Sequence, residues 1–290
     1  MIAVKLWGGI GNQLFQYAFG LYLSEKRNEK AFFFSDNKGS DDKLAIECFK
    51  VDLDLLDKKV HKQLGYSFTY SFLYRIQRKS IQQFPFLNSK ILVEDKLYYL
   101  PIISKEKIIF DGYWQSYKYL EPIEKNVRDK LNFKDKDIRN LSLYTQICST
   151  NSVSIHIRKG DYLMGSNTKV FENCSLDYYV EAMQLIKEKT SLAVFYVFSN
   201  DIEWTKSNLK APKGIELQFV DNSETNNPAC ADLFLMSNCK HHIIANSTFS
   251  WWGAWLNPSK EKIVIAPKKW YVGKRNDVTV DLIPPTWIRI

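Results

Sequence analysis

Short apolar runs alternate with stretches of helical period along this chain. Ile2–Leu6 predicts a strand, Gly8-Gly9-Ile10-Gly11 a tight loop, and Asn12 to about Arg27 a helix. Ala31–Ser35 and Lys107–Phe110 predict further strands, and Glu121–Leu131 a helix with Pro122 in its first turn, where a missing N–H is tolerated. The polar stretch from about Lys134 to Asn151 predicts a domain connection. A second set follows: strand Ser152–Ile157, a helix capped by Ser175 and running to about Lys189, strand Leu192–Phe198, helix Asp232–Ser237, strand His242–Ala245, helix Thr248–Leu256 and strand Ile263–Ala266. Strands alternating with helices predict an α/β fold of two stacked halves, with ligands collecting at the strand C-termini. No internal repeat interrupts this order.

Composition narrows the class. With 290 residues, 45% apolar and 25% charged, the chain is long enough for two soluble domains. Apolar runs such as Ile108–Phe110 and Ala193–Phe198 are far below the roughly 20 residues of a membrane span. Met1–Trp7 leads directly into glycines rather than into a signal-peptide pattern, so a cytoplasmic location is expected. Five cysteines, Cys48, Cys148, Cys174, Cys230 and Cys239, without C-x-x-C spacing suit reduced thiols. His241 and His242 alternate faces of a strand and cannot chelate one ion.

The net charge of +8 suits an anionic ligand, a nucleic acid or an anionic membrane. Its densest part has no Asp or Glu from Lys58 to Val93, while Lys58, Lys59, Lys62, Arg75, Arg78, Lys79 and Lys90 are basic. Tyr66, Phe68, Tyr70, Phe72 and Tyr74 interleave there. No nucleic-acid motif accompanies the stretch. It reads as an amphipathic element with a solvated basic face, or as a peripheral contact with the inner face of the cell membrane through Lys58–Lys90.

Three segments carry candidate chemistry. The glycine turn Gly8, Gly9 and Gly11 precedes a helix whose N–H groups are open to an anion. With Asp36 beyond the second strand it also has the look of a dinucleotide fingerprint, but Leu14 stands where the third glycine belongs. In His156-Ile157-Arg158-Lys159-Gly160-Asp161, His156 and Arg158 share one side of a strand end. Arg158 offers a planar fork for phosphate oxygens, or a plain ion pair with Asp161. In Asn246-Ser247-Thr248-Phe249-Ser250, hydroxyls start a helix and together with its N–H groups form a phosphate cradle, beyond what capping alone needs. Ser199 and Asp201 end another strand, and Asp232 opens a helix, as a cap or as an acceptor for a guanine edge.

These residues resemble the α-1,2-fucosyltransferases. Gly8–Ala18 (GGIGNQLFQYA), Gly112–Tyr119 (GYWQSYKY), His156–Tyr162 (HIRKGDY) and Asp232–Leu256 follow the family's order and spacing across nearly the whole chain. The resemblance implies a GT-B-like α/β fold of two facing Rossmann-like domains with the donor site in the cleft. The domains are expected at 1–150, on the acceptor side, and 151–290, binding GDP-fucose, with a C-terminal tail able to return to the first. It implies inverting transfer of L-fucose from GDP-β-L-fucose to the 2-hydroxyl of galactose in a glycan, which in bacteria is often lipid-linked and belongs to O-antigen or polysaccharide synthesis. Arg158 then matches the arginine on the pyrophosphate, Asp232 and His156 the groups facing guanine, and Thr248, Phe249 and Ser250 the segment on the phosphates. Asn12 lies in the N-terminal loop facing the donor, and Lys159 stands where many relatives carry a second arginine. Asp161 is the candidate base, with Arg158 as its catalytic partner. No cofactor and no metal are expected: Asp52-Leu53-Asp54 and Asp135-Lys136-Asp137 spell D-x-D but sit in charged, helix-like stretches. The competing classes are a nicotinamide oxidoreductase using the glycine loop, and a basic membrane-surface module.

Overall fold

The strands are short and mostly buried on both faces, as parallel strands covered by helices are. The computed structural model of the chain describes residues 1–35, 44–56, 65–66, 71–94, 99–100, 102–134, 142–159, 174–273 and 279–290. They divide into two units, Met1–Lys134 with Val278–Leu282, and Asp135–Asp277 with Ile283–Ile290.

In the first unit, strands β1 (Ile2–Lys5), β2 (Ala31–Phe34), β3 (Ile91–Val93) and β4 (Ile109–Asp111) form a parallel sheet in the order β2-β1-β4-β3. Helix α1 (Ile10–Arg27) joins β1 to β2, buries Leu14, Phe15, Ala18, Phe19 and Leu23, and ends where Asn28 takes a left-handed conformation. It starts two residues earlier than expected, so Ile10 and Gly11 are helical and only Gly8 and Gly9 form the loop. Helix α2 (Phe72–Gln83) is capped by Ser71, whose hydroxyl accepts the Tyr74 N–H. Pro122 sits in a 3₁₀ turn, Glu121–Ile123, that leads into α3 (Glu124–Lys130).

The second unit contains α4 (Ser142–Ser149), β5 (Asn151–Ile157), α5 (Leu176–Lys189), β6 (Ala193–Ser199), α6 (Ile202–Asn208) and β7 (Glu216–Phe219). It continues with α7 (Pro228–Asn238), β8 (His241–Ile243), α8 (Thr248–Leu256), β9 (Val264–Ala266) and β10 (Ile288–Arg289). The strands are all parallel, in the order β10-β9-β8-β5-β6-β7. Counted from β5 and read from the β7 edge, this is the doubly wound order 3-2-1-4-5-6, whose reversal lies between β5 and β8. On one face of β5, Val153, Ile155 and Ile157 pack with Tyr179, Ala182, Met183 and Ile186 of α5. On the other, Ser154 Oγ lies 2.9 Å from Nδ1 of buried His242, whose Nε2 is 3.0 Å from Asn257 Nδ2. The Asn257 amide donates, so Nδ1 carries the proton and donates to Ser154. His241 points the other way, and its Nδ1 accepts the Ile263 N–H.

Several expectations are corrected. The polar connection holds α4, which is tied to the second unit by the Tyr144 ring 5.2 Å from Phe234 and by Gln218 donating to Gln146. The helix expected to open at Asp232 opens at Pro228, capped by Asn227. Asp52–Asp54 is extended rather than helix-like, because Leu55 bridges to Phe33 beside β2, and Asp54 pairs with Lys30 at 2.6 Å. Asp135–Asp137 and Asp36 lie outside the described residues. Cys148, Cys174 and Cys239 are thiols rather than disulfides. Among the described residues no helix is long and apolar enough to cross a membrane.

Candidate functional site

The reversal between β5 and β8 is where chemistry gathers in the second unit. His156 is buried near the end of β5, with its ring centroid 5.4 Å from that of Phe249 on α8. That contact joins two segments 93 positions apart in the chain, read from the two residue numbers. Burial first, and then the charge of Arg158, push the His156 pKa down to about 3. The imidazole is therefore neutral at ordinary pH, and its Nδ1 is buried without a hydrogen-bond partner among the described residues. Arg158 is half-buried as the chain leaves the strand.

Across from it, Ser247 takes the N-cap position of α8 but makes no side-chain cap bond. The first turn of α8 therefore has no side-chain cap from Ser247 and lies at the positive end of the helix dipole, which favours an anion. Thr248 and Phe249 are half-exposed there. Ser250 is not part of the cradle surface: its buried hydroxyl donates to the Ser247 carbonyl at 3.2 Å and braces the turn. Asn246 fixes the same turn by donating to Trp270 O at 3.0 Å. The tryptophans Trp251, Trp252 and Trp255 are core.

Neighbouring candidates have other partners. Ser199 Oγ accepts from the Asp201 N–H and the Thr205 hydroxyl, and Asp201 caps α6 through the Trp204 N–H. The Lys159 ammonium lies 3.8 Å from the Trp204 ring, and its backbone is clasped by Asn200. Asp232 sits one turn inside α7, half-buried, accepting from Asn222 Nδ2 at 2.6 Å. Burial raises its pKa to about 6 against the lowering by that bond. Gly160 and Asp161 lie outside the described residues.

The first unit has its own reversal, between β1 and β4. Gly8 has φ +78°, a conformation glycine takes without strain, and a Cβ there would meet Asn12 Nδ2 at 2.7 Å. Asn12 Oδ1 accepts from Gln115, Gln13 donates to Gly8 O, and Gln16 bridges from Trp7 N to Gly112 O. The β4 end turns sharply: Glu94 accepts the N–H of Tyr113 at 2.6 Å and of Trp114 at 2.9 Å, and holds Trp114 at φ +55°. Burial raises the Glu94 pKa to about 7, opposed by those two bonds. Below it, buried Asp111 accepts from the Tyr66 and Tyr74 hydroxyls at 2.7 and 2.6 Å and pairs with Arg78 at 3.5 Å. Tyr66 and Tyr74 are therefore core residues and take no part in a surface contact. Lys58, Lys59, Lys62, Phe68 and Tyr70 lie outside the described residues.

The profile of Glycosyl transferase family 11 matches residues 1–290. The chain belongs to that family. It is 34% identical to an Escherichia coli protein named alpha-1,2-colitosyltransferase, covering 100% of this chain and 99% of that one. It is 30% identical to the E. coli O-antigen biosynthesis glycosyltransferase WbnK, over 98% of this chain and 99% of that one. The Mus musculus galactoside 2-alpha-L-fucosyltransferase Sec1 is 25% identical over 88% of this chain and 64% of its own length. The α/β build is GT-B-like: a NodZ alpha-1,6-fucosyltransferase crystallised with GDP superposes with a TM-score of 0.53 at 12% identity, covering 89% of this chain and 92% of that one.

Membership ends the oxidoreductase reading of the glycine turn. Glu94, Gln115 and Asn246 were missed as site-shaping residues. Glu94 follows an apolar run directly, and Gln115 and Asn246 stand inside the Gly112–Tyr119 and Asn246–Ser250 motifs, but the partners that give each its role lie in other segments of the chain.

Proposed function

We propose that this family 11 glycosyltransferase moves L-fucose from GDP-β-L-fucose, with inversion and without a metal, to the 2-hydroxyl of galactose in a glycan. The observation that carries the donor reading is the contact of His156, two residues before Arg158, with Phe249 in the first turn of α8 at the β5/β8 reversal. As the anomeric bond breaks, charge builds on the leaving phosphate. Arg158 and the α8 N–H groups are preorganised donors for it, each worth roughly 10²–10³ in rate. The acceptor hydroxyl gives its proton to a carboxylate, for which Asp161 is the candidate; His156, with a pKa of about 3, is too weak a base at neutral pH. Asp232 accepts two donors of the guanine edge. The O-antigen relative supports a bacterial surface glycan, lipid-linked during synthesis, as acceptor.

A second donor is favoured by one specific observation, the 34% identity to a colitosyltransferase over both full lengths. The two sugars are separated by product analysis. Incubation with GDP-fucose and a panel of galactosides should give α-1,2-fucosylated product. Turnover of a colitose donor with none of GDP-fucose would overturn the sugar but keep the site. Binding of UDP or ADP as tightly as GDP in calorimetry would overturn the site itself.

A further inference from the structure

Helix α2 buries Tyr74 and Ile81 and turns large apolar side chains outward. Phe72 is 76% exposed, Leu73 72% and Ile76 48%. On a helix of 3.6 residues per turn, Phe72, Ile76, Lys79 and Gln83 fall in one stripe roughly 60° wide, with Leu73 and Arg75 on its flanks. The chain then carries the surface on through Phe84, Phe86 and Leu87, exposed by 44%, 79% and 56%. The Phe84 and Phe86 rings meet edge to face at 5.9 Å. So many large apolar side chains on one short segment mark an interaction surface rather than scattered exposure.

Its charge says what kind. Arg75, Lys79 and Lys90 are exposed within it, and no Asp or Glu occurs between Lys58 and Val93. Arg78 takes no part, because its guanidinium is committed to buried Asp111. A second copy docked through the same face would bring these cations against their own images. A layer of phosphate headgroups over hydrocarbon answers both features at once: the rings enter the boundary and the cations meet the phosphates.

We propose that the outward face of α2 and the Phe84–Leu87 turn dock this protein on an anionic lipid bilayer. The inference is independent of which sugar is transferred. The full chain should co-sediment with vesicles of phosphatidylglycerol and phosphatidylethanolamine, much less with phosphatidylcholine alone, and partition should fall as salt is raised. Phe72→Ser with Phe86→Ser should weaken partition at least about 10-fold, as should Arg75→Gln with Lys79→Gln. Melting temperature and GDP affinity should not move, since all four side chains are at the surface. The salt and lipid dependence of the unmodified protein needs no variant to be read. Equal binding to neutral vesicles, no binding to anionic ones, or variants that bind as the parent does would overturn the proposal. A dimer in light scattering that the Phe72→Ser, Phe86→Ser pair dissolves, without vesicle binding, would give the face to a second copy and overturn it too.

Discussion

Arg158 follows directly on strand β5 and the buried His156, and its guanidinium matches the chemistry of a pyrophosphate. Arg158→Ala should lower turnover by at least about 10²-fold with the melting temperature kept. Arg158→Lys should also be poor, because one ammonium cannot reproduce a bidentate fork. Steady-state kinetics near normal in the lysine variant would reduce the residue to diffuse charge. Asp232 predicts a pH effect. Its native pKa is raised from 3.8 to about 6, chiefly by burial. For folding, a raised carboxyl contributes stability below about 3.8 that is lost as pH rises through about 6. For GDP the sign is opposite, since only the ionised carboxylate accepts two guanine donors. Calorimetry should show GDP affinity falling as pH drops through about 6, with the slope abolished in Asp232→Asn; a flat profile in the parent would remove Asp232 from guanine recognition. Arg158, His156 and the Thr248–Phe249 turn could be singled out in sequence because each stands at the end of an element the apolar pattern marks; Asp232 was expected at a helix start and lies one turn inside α7 instead. The structural duties of Ser199, Asp201 and Ser250 could not be, since a hydroxyl or carboxylate at a strand end has the same signature whether it binds a ligand or braces a turn.

At the scale of elements, the β3–β4 corner is held by a close approach. A Cβ on Gly112 would lie 2.4 Å from Glu94 Cβ and 2.9 Å from its Oε2. Gly112→Ala must push Glu94 off the Tyr113 and Trp114 N–H groups, so it should cost at least the about 1–3 kcal/mol of an overpacked core. A melting temperature within a degree or so of the parent would show that the corner adapts. The long apolar segments α1, β5, β6 and α8 were found from pattern and capping signals. The strands β3, β7 and β10 and the helices α2, α4 and α6 were not singled out. β3 and β10 have too few residues for a period, while α2 exposes the apolar side chains that a surface helix ordinarily buries.

For the whole molecule, the proposed metal-free transfer assigns the leaving-group charge to side chains and helix ends. Activity is expected to survive EDTA at full strength; loss restored by manganese would revive Asp52-Leu53-Asp54 or Asp135-Lys136-Asp137. Much was determined by the sequence alone: the α/β class, the order of the motifs and the family they belong to, because apolar period, capping residues and motif spacing are local properties. Tertiary structure decided which residues meet. It set the order β10-β9-β8-β5-β6-β7, which puts His156 beside Phe249. It buried Tyr66 and Tyr74 on Asp111 while turning Phe72 and Phe86 to solvent. Strand order and facing depend on pairings between distant segments, each too short to carry its partner in its own pattern, and so only the packed chain could settle them.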